Sequence, residues 1–524
     1  MNAFWTCVTG GKEGAPADPA EAKAAADALG AAAGAEVYAS SLAAAGGMAL
    51  ALVRRDLEKS LVLAWPTGAV PAAARAFKGR RRRLDLPFGK AAALEVPRGA
   101  AGAAALRGLL PWTAPQAIAG RPSIGLGDRL GLATPGHIRA VRGTGYVPML
   151  AQQSIREMAR TRRSPQEVLD DATWGVFQAG FRTGFGADAD HLKTADDIDR
   201  CAAAGFTFYT IDPGEHVDDE AEGLDAAALA KRFSALPWKA LETTPLDLTA
   251  AYVGKAVGAG GERPAFDGAA LHRAAVKYGR AVAHTAALYR HLVERLGKGN
   301  FELEVSVDET ASPTTPQEHL FVARELARLG VAWVSLAPRF VGRFEKGVDY
   351  QGDLEELERT FLAHLAIAAE SGGYKLSLHS GSDKFSVYEM AARHGGRRVH
   401  VKTAGTSYLE ALRVLAAKEP GLFRDILSFA RQRYETDKAT YHVSADLAKV
   451  PMQEELADED LARLLDEFDA RQVLHVTFGS VLTADDGRPF RGRMLEALKR
   501  HEGEYEAALE EHIGRHLAAF LRGP

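Results

Sequence analysis

Cysteine is almost absent: two residues in 524, Cys7 and Cys201, far apart in the chain. That excludes a disulfide framework, an iron–sulfur cluster and a structural zinc knuckle, all of which need clustered thiols. Long apolar runs are missing too, and no stretch approaches the roughly 18 residues of a membrane span. The opening MNAFWTCVTGGKEGAP has no basic segment leading into an apolar one, so the expectation is no secretory signal and a reducing, cytoplasmic setting. Neither sign of charge dominates. With 64 Lys and Arg against 68 Asp and Glu, the formal net charge of −4 argues against nucleic acid as a partner. Several chemical signatures are also missing. There is no GxGxxG after the first strand of the main repeat, no GxSxG elbow, no HExxH and no P-loop. Aromatic residues make up only 8% of the chain, too few for the sugar platforms of a glycosidase.

What is present is 47% hydrophobic residues, ample for a large core. The first hundred residues are Ala- and Gly-rich, with strand-like runs MALALVRR and SLVLAWPTG, and read as a small N-terminal α/β domain over 1–116. Four consecutive arginines, Arg80 to Arg83, read as a solvated turn. The Pro-dotted stretch from Leu109 to Ser123 marks the boundary. Beyond it strands and helices alternate about eight times, the count a closed (β/α)₈ TIM-type barrel requires, over 117–420. One connection, 217–300, is too long for a loop. It reads as a helical insertion, with Leu271, Ala275, Tyr278, Val282 and Tyr289 at helical spacing behind Asp267 as a cap. The histidines of that helix, His272, His284 and His291, read as surface or packing residues. Residues 421–524 read as a mostly helical extension with one strand-like piece around Val476.

In such a barrel, catalytic groups stand at the C-terminal ends of the strands. Charged residues crowd those ends here. The third strand ends in Asp188, Asp190, His191 and Lys193, the fourth in Asp212, Glu215 and His216. The fifth, FELEVSVDET, places Glu302, Glu304, Ser306 and Asp308 on one face. Arg339 ends the sixth, His379, Ser380, Ser382, Asp383 and Lys384 the seventh, and Lys402, Thr403 and Ser407 the eighth. Taking so many ionised groups out of water costs several kcal/mol apiece unless compensated, and a divalent cation held by His and carboxylate is the simplest compensation. Lys193, Arg339, Lys384 and Lys402 add positive charge at the same rim. Together these features suit a small, anionic, polyhydroxylated substrate.

At these positions the chain resembles a known family. GADADHLKTADDI, TIDPGEHV, FELEVSVDET, LAPRF, LSLHSGSDKFSVY, HVKTAGTSYLEALR and, downstream, YHVSA are similar to signature segments of the tagaturonate epimerase family, from about Gly125 to Val481. The resemblance implies a metal-dependent enzyme that interconverts the sugar acids tagaturonate and fructuronate in hexuronate breakdown. It implies His191, His379 and His442 as ligands of a divalent cation (Zn, Mn, Ni, Co or Fe), with His216 competing for the third place. It further implies Asp190 as proton acceptor and Glu304 as proton donor. Two routes stay open. One is retro-aldol opening and re-closure of a carbon–carbon bond; the other is removal of a carbon-bound proton next to the distal carboxylate. A metal-dependent aldolase or aldose–ketose isomerase on a related acid is the alternative enzyme, and a sugar-acid binding protein the non-enzymatic one. Nothing in the sequence sets an oligomeric state.

Overall fold

The computed structural model describes residues 19–87, 89–254 and 265–522, so Cys7 lies outside the described residues. Two strand systems organise them. The N-terminal sheet contains β1 (Glu36–Val37), β2 (Ala43–Ala45), β3 (Met48–Arg55), β4 (Glu58–Pro66), β5 (Arg80–Leu86) and β6 (Gly89–Pro97). Its order is β1-β3-β4-β6-β5, with β2 beside β3, and every pairing is antiparallel. Helix Pro19–Ala33 covers one face through Ala25, Ala26 and Leu29. Ala103 and Leu106 of helix Ala100–Leu109 cover the other, together with Trp174 and Phe177 from the barrel's helix Pro165–Ala179. The arginine run is not a turn but the edge strand β5. Arg80, Arg81 and Arg83 stay exposed, while Arg82 reaches Glu95 at 2.8 Å and Leu84 and Leu86 are buried. Charged side chains along an open edge discourage pairing with another strand.

The second system is the barrel: β7 (Ser123–Gly125), β8 (Val147–Ser154), β9 (Gly186–Leu192), β10 (Phe208–Ile211), β11 (Glu302–Val307), β12 (Ser335–Pro338), β13 (Lys375–Leu378) and β14 (Val399–Lys402). All pairings are parallel, and β14 closes on β7 with Val401 opposite Ile124. This is the (β/α)₈ arrangement expected from the strand–helix count. The switches from strand to helix are written locally. Ser154 and Glu157, Ser164 and Glu167, Thr194 and Asp197, and Thr315 and Glu318 form reciprocal capping boxes at four helix starts. Gly205, at φ 101°, ends helix Ala195–Ala204 and turns the chain into β10.

The insertion after β10 is helical, with Ala226–Ser234, Pro245–Tyr252 and the long Gly268–Leu296, whose first turn Asp267 caps through the N–H of Ala270. After β14 the chain is helical to its described end. The piece around Val476 forms helices Phe468–Val476 and Phe478–Thr483, not a strand. It lies inside a helical layer and is buried on nearly all sides, so its apolar run carried no helical period to read. The last helix, Glu502–Arg522, returns to the barrel and buries Ile513, Leu517 and Phe520 in the barrel's core. No helix among the described residues is long and apolar enough to cross a membrane.

Candidate active site

Two bulges shape the C-terminal mouth of the barrel. Along β9 the pairing with β10 runs Asp188 to Phe208 and Ala189 to Tyr209, then jumps to Leu192 opposite Ile211. Within that jump His191 takes φ 52°, a left-handed conformation that strict alternation would not allow. Asp188 and Asp190 face the barrel interior, and the bulge brings His191 round to the same mouth. β8 shifts register between Leu150 and Gln153, with Ala151 at φ 60°. The neighbouring Gln152 then donates its Nε2 to Asp190 Oδ2 at 2.8 Å.

Lys402, at the end of β14, is the hub. Its Nζ lies 2.8 Å from Asp188 Oδ2, 2.8 Å from Asp190 Oδ1 and 2.7 Å from Glu304 Oε1, and donates to Thr210 Oγ1 at 2.6 Å. Asp190 and Thr210 take two of the ammonium's three hydrogens, and Asp188 and Glu304 lie at ion-pair distance around it. His379 follows β13. Its Nε2 is 2.6 Å from Glu304 Oε1 and its Nδ1 3.2 Å from Asp308 Oδ1. His191 turns Nδ1 to Asp212 Oδ2 at 3.2 Å and Nε2 toward Asp190, 3.9 Å from Oδ1. The two imidazoles meet edge-on with centroids 5.0 Å apart.

The charges within this cluster push one another's pKa values apart. Burial disfavours charge on Asp190 and Glu304, but Lys402 and the histidines outweigh it and hold both well below the usual carboxylate range. Asp188 goes the other way. Burial, with Asp190 and Glu304 nearby, overcomes Lys402 and raises it to about 7. Burial would also depress the imidazoles, yet Asp190 and Asp212 raise His191 to about 10, and Asp308 and Glu304 raise His379 to about 9. A field strong enough to protonate two buried imidazoles is one that would hold a divalent cation between them instead. The donor set agrees. Asp190, His191 and His379 can each offer a ligand atom with all three within 4.8 Å of one another. Asp212 on Nδ1 fixes the His191 tautomer that leaves Nε2 free, as metal-binding histidines require. Glu304 Oε2 and Gln152 Oε1 are buried here without hydrogen-bond partners. The residues fit the group.

A second set, Asp383, His512 and His516, is also close enough to ligate. None of its three residues lines a cavity of the mouth. Asp383 takes Arg471 at 2.8 Å and His512 at 2.5 Å, while His516 accepts the Asp383 N–H at 3.0 Å and meets the His512 carbonyl at 2.9 Å. This set fixes the loop after β13.

The cluster opens into two connected cavities. The inner one, about 50 Å³, is lined by Asp190, His191, His379, Lys402, Arg129, Gly405 and His475 among others. The outer one, about 270 Å³, is lined by Asp308, Glu309, Arg339, His379 and His442. The structure thus gathers Asp190, His191, Glu304, His379 and Lys402, and sets His442 and Arg339 on the outer wall. Lys193 pairs with Glu215 at 2.9 Å, more than a third exposed. Lys384 lies buried, its ammonium donating to the carbonyls of Glu345, Val348 and Ser382, so it brings no charge to the cavity. His216 stacks on His284, centroids 4.0 Å apart, and belongs to none of the three candidate ligand sets among the described residues, the third being His191, Asp212 and Glu309. Glu302 shares the face of Glu304 but sits at the opposite end of the barrel.

Sequence reasoning passed over Gln152, Arg156, Glu309 and Lys346. Gln152 had a signal, a polar pair closing an otherwise apolar strand. Arg156 and Glu309, paired at 2.6 Å, and Lys346 lie where no period marks them.

The family described as tagaturonate epimerase matches residues 38–520. A tagaturonate/fructuronate epimerase from Thermotoga maritima is 45% identical over 412 residues, 79% of this chain and 83% of its own. The glycerol-complexed crystal structure of fructuronate-tagaturonate epimerase UxaE from Cohnella laeviribosi superposes with a TM-score of 0.87 at 37% identity, over 96% of this chain and 99% of that one. The native crystal structure of the same enzyme gives 0.86 and 38%, over 95% and 99%.

Proposed function

The chain belongs to the tagaturonate epimerase family and is an isomerase; from that premise we propose that it interconverts D-tagaturonate and D-fructuronate in hexuronate breakdown, with a divalent cation at the barrel mouth. His191 and His379 would hold the cation, with His442 approaching across the outer cavity that it shares with His379. The observation that carries this reading is the convergence of Asp190, His191 and His379 at the barrel mouth, with a ligand atom of each within 4.8 Å of the others. When bound, the cation supplies Lewis acidity for the oxygens of the substrate's ketone end.

The carbon that inverts is two bonds from the ketone carbon and two from the carboxylate carbon. Neither group acidifies its hydrogen, and a proton removed next to the carboxylate would invert the neighbouring centre. A retro-aldol step avoids the difficulty. Asp190, held as a carboxylate, takes the proton of the hydroxyl on the inverting carbon. The bond from that carbon toward the ketone breaks, its electron pair passing into an enediolate and leaving an aldehyde. The aldehyde turns, the bond re-forms on its other face, and the new alkoxide needs a proton there. Glu304 delivers it. Lys402 touches both carboxylates, so it can hand a proton to Glu304 and take one from Asp190, which closes the balance.

Removal of metal by chelation, verified by elemental analysis, should abolish conversion, and adding back a single divalent metal should restore it. His379→Ala should lose both metal and turnover while keeping its circular dichroism spectrum. Full activity in metal-free protein would refute the cation's role.

A further inference from the structure

Three of the four cations that the sequence offered for the substrate carboxylate are committed elsewhere: Lys193 to Glu215, Lys384 to three carbonyls and Lys402 to the carboxylate cluster. Lys346 differs from them. It stands in the segment between β12 and helix Leu354–Glu370, half-buried, and lines both the inner and the outer cavity. No carboxylate among the described residues forms an ion pair with it, and its Nζ donates to the neutral Ser380 Oγ at 2.6 Å. Ser380 directly follows His379 and is held at φ 48°, so this ammonium sits beside the reacting cluster. Arg129 also lines the inner cavity, buried and paired with Glu157 at 2.6 Å, with Nη1 free of any hydrogen-bond partner.

We propose that Lys346 anchors the substrate's carboxylate, and that this single-point contact tethers the aldehyde fragment while it turns over. The proposal rests on the epimerase reading above and deepens it. The carboxylate carbon is two bonds, about 2.5 Å, from the carbon that inverts. Its anchor must therefore lie next to the acid–base pair. Lys346 meets that condition through Ser380, whereas Arg339 lines only the outer cavity. The chemistry of the anchor matters as well. After the carbon–carbon bond breaks, the carboxylate-bearing fragment must rotate without escaping. A guanidinium grips both carboxylate oxygens in a planar fork and fixes their orientation, while an ammonium on a flexible stem is a point charge about which the fragment can pivot.

Replacing Lys346 with Met keeps the stem and removes the charge. The kcat/KM for tagaturonate should fall about tenfold to a hundredfold, mainly through KM, the range for one charge-assisted hydrogen bond. Inhibition by tartronate, which copies the carboxylate end, should weaken by a similar factor, and inhibition by dihydroxyacetone should not change. The variant should also release tartronate semialdehyde and dihydroxyacetone during turnover, trapped with a hydrazine reagent. Lys346→Arg should restore KM but lower kcat. Wild-type KM and tartronate affinity in Lys346→Met, with no fragment released, would overturn the proposal. The wild-type protein run alongside separates the claims. Conversion by wild type with an unaltered variant defeats the anchor alone, and no conversion by metal-loaded wild type defeats both.

Discussion

The two ends of the barrel use the same residue types on the same strands and put them to opposite ends. At the bottom, Glu302 of β11 accepts the N–H groups of Ile118 and Gly120 at 2.7 and 2.8 Å. Lys375 of β13 donates to the Arg121 carbonyl and Ser123 Oγ at 3.0 and 2.8 Å, and His400 of β14 meets Ser123 through Nδ1. Two residues further along the same strands stand Glu304 and Lys402, and His379 lies just past the end of β13. There the partners are other ionised side chains. At the bottom Glu302, Lys375 and His400 Nδ1 find their partners in the fixed 118–123 segment, and the result is a seal. At the mouth like charges are forced together around one ammonium, and the pKa values spread from far below to well above neutrality. Such spreading marks sites of proton transfer.

This contrast predicts that changes at the mouth act on rate and changes at the bottom act on stability. The largest effect belongs to the acid–base pair. Asp190→Asn and Glu304→Gln should each lower kcat by about 10²–10⁴, the range for removing one general acid or base, in protein that circular dichroism shows still folded at the assay temperature. A variant of either kind with near-native kcat would break the comparison on the rate side. Next comes Glu302→Gln. It weakens two charge-assisted bonds to backbone and should cost about 1–3 kcal/mol in denaturant unfolding, with kcat unchanged within about threefold. Loss of turnover without loss of stability there would reverse the assignment of the two ends. The smallest effect is a pH dependence. Burial pushes the His400 imidazole down to about 3. The unfolded ring takes up a proton below about pH 6.5 and the folded ring does not, so stability drops as the pH falls through that window. His400 contributes up to about 1.4 kcal/mol per pH unit, and His400→Gln should flatten the acid limb by that slope. Parallel curves for the two proteins would place the acid sensitivity elsewhere.

The barrel was legible because its eight strands are short apolar runs separated by helices with explicit start signals, such as Ser154 with Glu157 and Thr194 with Asp197. The candidate site was legible where a charged residue interrupts an apolar strand end, as Asp190, Glu304, His379 and Lys402 do. It was not legible where geometry departs from the two-residue period. Gln152 sits at the bulge in β8 and was passed over, whereas His191, which the bulge in β9 turns to the mouth, was named from its place at the strand's end and from the resemblance. Partner choice was hidden as well. Lys384 and Lys402 look alike in sequence, yet one ammonium meets three carbonyls and the other a carboxylate cluster, a difference set by loops far apart in the chain. Lys346 has no local pattern at all.

Converting tagaturonate in deuterium oxide with metal-loaded protein, and following the hydrogen on the inverted carbon by NMR, tests the acid–base assignment at its root. Asp190 and Glu304 move only the hydroxyl proton in this account, so fructuronate should appear with its original hydrogen on that carbon. Deuterium at the inverted carbon, or no fructuronate at all, would contradict it.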